Sequence, residues 1–236
     1  MAAHRAAHED APENSIPAIE KAIELGVDYV ELDVRTSKDG ILVLMHDSSV
    51  DRTSNGKGKV DQLTLAELQA LDLGVKGKEK WKGTRVPTFE QALQVCRGKM
   101  GIYLDHKSAD VPQTLKLVEK FGMLNKIVVY GGPPILKQYK AIHPEVWIMP
   151  DHPRTIDEMK ALAKDLKPET MDGGLFFWTK YQVRVAHELK VEVWVDALGP
   201  IDSLAGYKTA LDIGVDGIQT DHPERLLKFL KEQGRR

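Results

Sequence analysis

The chain has 236 residues, with 33 Lys+Arg against 35 Asp+Glu and a formal charge of −2. That length suits one α/β barrel of about 250 residues better than two full domains, and 42% hydrophobic residues allow a core that needs no disulfide or structural metal. Near-neutral charge gives no electrostatic reason to expect nucleic acid or a stable membrane association, and no run approaches the roughly 18 apolar residues of a spanning helix.

In chain order, residues 1–4 can supply only a stub of strand. The N-terminal stretch has no apolar segment of the kind a secretion signal carries, so a cytoplasmic location is expected. Residues 16–25 have the spacing of an amphipathic helix, closed by Gly26 in a left-handed cap. Strand runs at 29–34 and 41–46 follow, joined by a turn too short for a helical crossover. They form either a hairpin or a pair with an extended return.

Residues 51–82 break the pattern. They hold one short helix at 65–71, started by the capping box Thr64/Glu67, and then a charged, glycine-rich stretch at 74–83. An insertion of this length predicts a small subdomain after the third strand. Because it follows His46 directly, it is expected to cover the barrel mouth. Thr88 with Gln91 restarts the regular pattern. The lone Cys96 sits in an apolar helical stretch and is expected to be buried and inert.

From residue 102 onward β-branched runs alternate with helical patterns. The runs are at 102–105, 127–130, 146–149, 173–176, 191–195 and 217–220. The helices are expected at 115–121, 135–142, 155–166, 181–189, 203–213 and 224–232. Strand–helix alternation argues for a parallel sheet. At this length it predicts a TIM (β/α)8 barrel spanning 1–236 as one domain, with an open doubly wound sheet as the alternative. No GxGxxG follows any strand, so a dinucleotide fold has no support. Nine strand candidates compete for eight places.

Several residues could carry chemistry. The two-residue period of a strand puts Glu31 and Asp33 on one face, with Leu32 on the other. They are either solvated acids at a strand end or a buried pair that needs a cation or a shared proton. Asp105 and Lys107 repeat the pattern, as a simple ion pair or as a third oxygen ligand beside a fixed positive charge. Three carboxylates suit a hard divalent ion, Mg²⁺ or Ca²⁺. Histidine is the side chain that ordinarily exchanges protons near neutral pH, so His4 and His46 could serve as an acid and a base around a phosphate, with Arg5 as its clamp. His4 and His8 have the i, i+4 spacing of a helical zinc pair, but Pro12 and the polar residues around it argue against a helix there.

His4-Arg5, Pro12-Glu13-Asn14, Glu31-Leu32-Asp33, Asp39-Gly40, His46-Asp47 and Asp51-Arg52-Thr53 stand in the order and spacing of the glycerophosphodiester phosphodiesterase family. Residues 104–107 and 217–223 resemble its later blocks. The resemblance implies a metal-dependent TIM barrel, related to the phospholipase C and sphingomyelinase D barrels, that hydrolyses glycerophosphodiesters to glycerol 3-phosphate and an alcohol. It implies His4 and His46 as the acid–base pair and Glu31, Asp33 and Asp105 as metal ligands. Arg5, Glu13, Asn14, Lys107 and Trp194 would bind substrate. One His would deprotonate the glycerol 2-hydroxyl, giving a cyclic phosphate, and the other would protonate the leaving alcohol.

The ion expected is Ca²⁺ or Mg²⁺, with Mn²⁺, Co²⁺ or Zn²⁺ as further candidates. The partner expected is a small phosphodiester, and the oligomeric state is open. Three departures from the family pattern stand out. Ala6 replaces a glycine, Asp105 replaces the usual Glu, and only three residues precede His4. Asp at this place is shared with the sphingomyelinase D relatives. A lysophospholipid, sphingomyelin or phosphotriester enzyme therefore stays open as an alternative. So does a non-catalytic phosphate-binding barrel.

Overall fold

A computed structural model describes residues 1–76 and 79–236. Residues 77 and 78, within the charged glycine-rich stretch, lie outside the described residues. The strands are β1 (Ala2–Ala3), β2 (Tyr29–Thr36), β3 (Leu42–Leu44), β4 (Gly101–Ser108), β5 (Ile127–Tyr130), β6 (Trp147–Met149), β7 (Thr170–Met171), β8 (Glu192–Ala197) and β9 (Gly217–Thr220). The helices are α1 (Ile16–Leu25), α2 (Leu65–Ala70), α3 (Phe89–Cys96), α4 (Val111–Lys120), α5 (Pro133–Ile142), α6 (Ile156–Leu166), α7 (Lys180–Glu188), α8 (Leu204–Ile213) and α9 (Pro223–Glu232).

The strands run in the order β6-β5-β4-β2-β1-β9-β8-β7, with parallel pairing at each step. The Asp172 N–H donates to the Pro150 carbonyl at 3.0 Å and bridges β6 to β7, which brings the sheet close to a full circle. Eight parallel strands with helices between them make the expected (β/α)8 barrel. The strand surplus resolves at β3, which is antiparallel to β2 in the register Val34↔Leu44 and Thr36↔Leu42. The short link thus forms a hairpin, and β3 stands outside the circle.

Side chains alternate as the strand period requires. Leu32, Ile102 and Leu104 are fully buried among the apolar faces of the first helices. Ala2, Tyr103, Val128, Met149 and Trp194 point the other way and pack together. The segment after β3 carries its own apolar cluster, in which Val50, Val60, Leu68, Leu73 and Val86 close on Val43 and Met45. Thr64 and Glu67 form the capping box of α2. Cys96 is buried, and burial pushes its thiol up to about 12, so no thiolate is available near neutral pH. Among the described residues no helix is long and apolar enough to cross a membrane.

One expected strand is displaced. The run at 173–176 is not extended, and β7 lies earlier, at Thr170–Met171. Gly173 has φ 155, a conformation closed to most side chains, and Leu175–Phe177 is a short 3₁₀ turn. Phe176 is 83% exposed and so contributes nothing to the barrel. The adjacent glycines break a run that looks strand-like by hydrophobicity alone.

The barrel floor is aromatic. The Tyr29 and Trp194 rings meet edge-on at 4.9 Å, and Tyr103 lies 6.2 Å from Trp194. Tyr29 and Trp194 each sit opposite a glycine at the foot of the neighbouring strand. A Cβ on Gly101 would come within 2.3 Å of the Tyr29 ring, and one on Gly217 within 2.5 Å of the Trp194 ring. Gly217→Ala should therefore destabilise the fold by about 1–3 kcal/mol, the usual cost of overpacking. Thermal unfolding would show a Tm lowered by several degrees, and an unchanged Tm would mean the floor can relax.

Candidate active site

β2 presents Glu31 and Asp33 on its inner face, 3% and 1% exposed. In the neighbouring β4, Asp105 is the register partner of Asp33. Each of the three offers a carboxylate oxygen, and these oxygens all lie within 4.8 Å of one another. The pairing of β2 with β4 then slips, running Val34↔His106 and Arg35↔Ser108. Lys107 is the bulged residue, and a bulge re-aims a side chain. Its Nζ lies 2.6 Å from Asp105 Oδ2 and 3.2 Å from Asp33 Oδ1, the latter outside hydrogen-bond geometry.

The loop after β1 folds over this group. Arg5, Ala6 and Asn14 all take left-handed backbone, with φ 47, 67 and 53. Ala6 thus adopts the conformation a glycine would favour, with its methyl fully buried. The reversal aims the Arg5 N–H at Glu31 Oε2, 2.6 Å away. Asn14 clamps Asp33 twice: its Nδ2 donates to Oδ2 at 2.7 Å, and its Oδ1 accepts from the Asp33 N–H at 3.1 Å. The Arg5 guanidinium donates to Glu13 at 3.2 Å, and its Nε lies 3.9 Å from Asp33 without a hydrogen-bond partner.

Burial raises the Glu31 carboxyl well above its ordinary range, and Asp33 and Asp105 push it further. Burial also raises Asp105, against the opposing pull of Lys107. The donor set therefore suits a hard cation: buried carboxylate oxygens, mutually repelling, with one Asp33 oxygen left without a hydrogen bond.

Two histidines flank the carboxylates, and each has Nδ1 on an aspartate. His4 Nδ1 is 2.6 Å from Asp221 Oδ1, just past the end of β9. His46 Nδ1 is 2.7 Å from Asp47 Oδ1. Arg35 donates to the His46 carbonyl at 2.7 Å and so fixes that turn. Burial alone would raise Asp221, but hydrogen bonds from His4 and His8 outweigh it and hold that carboxyl far below its ordinary range. The hydrogen bond from Arg52, aided by His46, does the same for Asp47.

Arg52, from the insertion, joins the parts. Its guanidinium donates to both Glu13 oxygens at 2.7 Å and to Asp47 at 2.7 and 3.0 Å. A continuous ionic path thus runs from His46 through Asp47, Arg52 and Glu13 to Arg5. Beside it, His8, Glu13, Arg52, Leu73 and Trp81 line a cleft of about 370 Å³ between the first loop and the insertion.

The structure brings together His4, Arg5, Glu13, Asn14, Glu31, Asp33, His46, Asp105 and Lys107. It does not bring Trp194 to them. That ring lies on the floor, two residues deeper along β8 than Asp196, with its Nε1 donating to Glu192 at 3.0 Å. Sequence reasoning assigned no role to Asp47, Arg52 or Asp221. Asp47 and Arg52 stood inside quoted motifs, His46-Asp47 and Asp51-Arg52-Thr53. Asp221 also stood inside the block at 217–223, but its contact with His4 had no local signal, because 217 positions separate them.

Comparison with known proteins places the chain in a family. Residues 4–225 match the glycerophosphoryl diester phosphodiesterase family. A glycerophosphodiester phosphodiesterase of Caldanaerobacter subterraneus is 30% identical over 98% of both chains. One from Bacillus subtilis is 39% identical over 97% of this chain and 85% of its own. Among solved structures, a glycerophosphodiester phosphodiesterase from Agrobacterium tumefaciens superposes with a TM-score of 0.83 at 29% identity, covering 96% of this chain and 98% of that one. An Oleispira antarctica phosphodiesterase, solved with the product sn-glycerol-3-phosphate, shares the fold at a TM-score of 0.89 and 23% identity, over 98% of this chain and 96% of its own. The chain therefore belongs to the glycerophosphoryl diester phosphodiesterase family.

Proposed function

We propose that this phosphodiesterase hydrolyses glycerophosphodiesters to glycerol 3-phosphate and an alcohol, with His4 and His46 as its acid–base pair and one divalent cation at Glu31, Asp33 and Asp105. The observation that carries the reading is the pairing of two buried carboxylates and one half-buried one with two histidines, each oriented by its own aspartate. When bound, the cation supplies positive charge against the phosphate and the charge that develops in the transition state. Lys107 and Arg5 bind the phosphate oxygens beside it. Asp221 and Asp47 occupy Nδ1 of the two imidazoles, which leaves Nε2 of each for the substrate. One imidazole takes the proton of the glycerol 2-hydroxyl, whose oxygen attacks the phosphorus while the other gives a proton to the departing alcohol; water then opens the cyclic phosphate to glycerol 3-phosphate with the two roles exchanged. Glu13 and Asn14 hold Arg5 and Asp33 in place and so shape the glycerol side. Trp194 supports the site from below. We read residues 51–82 as a cap that forms one wall of the cleft and fixes His46 through Arg52.

Glycerophosphocholine, a lysophospholipid and bis-p-nitrophenyl phosphate, each assayed with Mg²⁺, Ca²⁺, Mn²⁺, Co²⁺ and Zn²⁺, test the substrate class. Preference for the first supports the reading. Preference for the second moves the enzyme to lipid substrates, and turnover of none with any ion leaves a binding barrel. His4→Ala and His46→Ala should each lower kcat by about 10²–10⁴-fold, the size of general acid–base catalysis. Activity near wild type in either variant removes that residue from the mechanism.

Raised carboxyls give a pH signature. Folded protein holds protons on Glu31 and Asp105 that unfolded chain has already released. Above the ordinary carboxylate range, stability from these groups is therefore lost as pH rises. A bound cation removes that repulsion, and protons compete with it. The Tm gained on adding Mg²⁺ or Ca²⁺ should grow as pH rises from about 5 toward 8. A gain independent of pH would place the cation elsewhere.

Arg52→Ala should lower kcat by about 10–100-fold, as expected for loss of charge-assisted hydrogen bonds worth about 1.5–3 kcal/mol. The cation-induced Tm gain should stay close to that of the unaltered protein. Equal loss of both would mean that Arg52 supports the carboxylates and not His46.

A further inference from the structure

One cluster is not absorbed by this reading. His8 Nε2 lies 2.8 Å from Asp221 Oδ1, the same oxygen that takes His4 Nδ1 at 2.6 Å. No helix joins the two histidines. The successive left-handed residues Arg5 and Ala6 turn the chain instead, the His8 N–H donates to the Ala6 carbonyl at 2.9 Å, and the imidazoles meet nearly perpendicular at 5.8 Å. The i, i+4 pair that the absence of a helix argued against is thus formed by a turn. One ligand atom from each of His4, His8 and Asp221 lies within 4.8 Å of the others, and the side chains are 17%, 27% and 25% exposed, open to a small ion.

We propose that His4, His8 and Asp221 form a second cation site, selective for a borderline transition ion such as Zn²⁺, and that filling it inhibits the enzyme by withdrawing His4. Two imidazoles and one carboxylate suit Zn²⁺, whereas the all-oxygen set at Glu31, Asp33 and Asp105 suits Mg²⁺ or Ca²⁺. Ligand atoms about 2.0–2.2 Å from one tetrahedral ion stand roughly 3.3 Å apart. The two contacts to Asp221 therefore need to open by well under about 1 Å. Water fills the fourth position. Coordination at Nδ1 replaces the Asp221 hydrogen bond that orients His4 and puts positive charge beside a ring that must exchange a proton. The inhibitory half of this proposal rests on the acid–base assignment of His4, and the binding half does not.

Two titrations separate those halves. In the first, Zn²⁺ is added to Mg²⁺-saturated enzyme turning over glycerophosphocholine. His8→Asn keeps a donor for Asp221 but is a poor zinc ligand, and His8→Gln gives a second variant. Inhibition is read relative to each variant's own zinc-free rate, and the zinc concentration for half-inhibition should rise by about 10–100-fold, at least the effect an outer-shell change has on metal affinity. In the second, Co²⁺ is added in excess Mg²⁺ and the visible spectrum is recorded. The unaltered protein should show the strong bands of tetrahedral Co²⁺, and the variants only weak octahedral absorption. Equal zinc inhibition with and without His8 overturns the inhibitory role. Absence of the strong bands overturns the site. Strong bands from a chain that turns over no phosphodiester keep the site and overturn the catalytic reading alone.

Discussion

Three carboxylates within 4.8 Å of one another, two of them almost wholly buried, set the terms for the rest of the barrel mouth. Like charges so close in a poorly hydrated place cannot all stay ionised without a counter-charge. Much around them answers that demand. Lys107 is swung inward by a bulge, the Arg5 N–H is brought to Glu31 by strained backbone, and Asn14 supplies a neutral clamp. The fixed positive charge is still short of the negative, and the difference is what a divalent ion would bring.

The same economy governs the histidines. Neither is held by packing alone. Asp221 and Asp47 each take up one ring nitrogen and so fix its tautomer and direction. The two aspartates differ in their own support. Asp221 is anchored by its backbone N–H to Asp202 at 2.6 Å, within the barrel wall. Asp47 is anchored by Arg52, from a segment with its own small core. His4 is therefore tied to the barrel wall and His46 to the flank formed by the insertion.

Much of this was legible from residues alone. Strand parity put Glu31 with Asp33 and Asp105 with Lys107, and the parallel register of β2 with β4 joined the pairs. Strand–helix alternation gave the barrel, because parallel neighbours need crossovers. What stayed hidden was long-range or conformational. Nothing near Asp221 announces its contact with His4 at the other end of the chain. Hydrophobicity placed a strand at 173–176, where adjacent glycines break the extended backbone. The resemblance implied Trp194 as a substrate contact, and its depth along β8 puts its ring among the floor aromatics. His8 was dismissed because helical spacing was taken to need a helix, whereas a left-handed turn brings the two rings together.

β1 has only two residues, and it pairs with β2 on one side and with β9 on the other. The strand that carries His4 is therefore gripped by the last strand of the barrel. Such closure has a temporal meaning. A ribosome that has delivered residues 1–110 has already made all three carboxylates and both histidines, yet Asp221 does not exist and β1 has one neighbour. Ring closure across more than 200 residues is slow, because its entropy must be overcome before any contact rewards it. Half-barrel fragments should bind cations weakly and orient His4 not at all. On the proposed acid–base reading, a chain that lacks β9 and Asp221 has no oriented His4 and leaves phosphodiesters untouched.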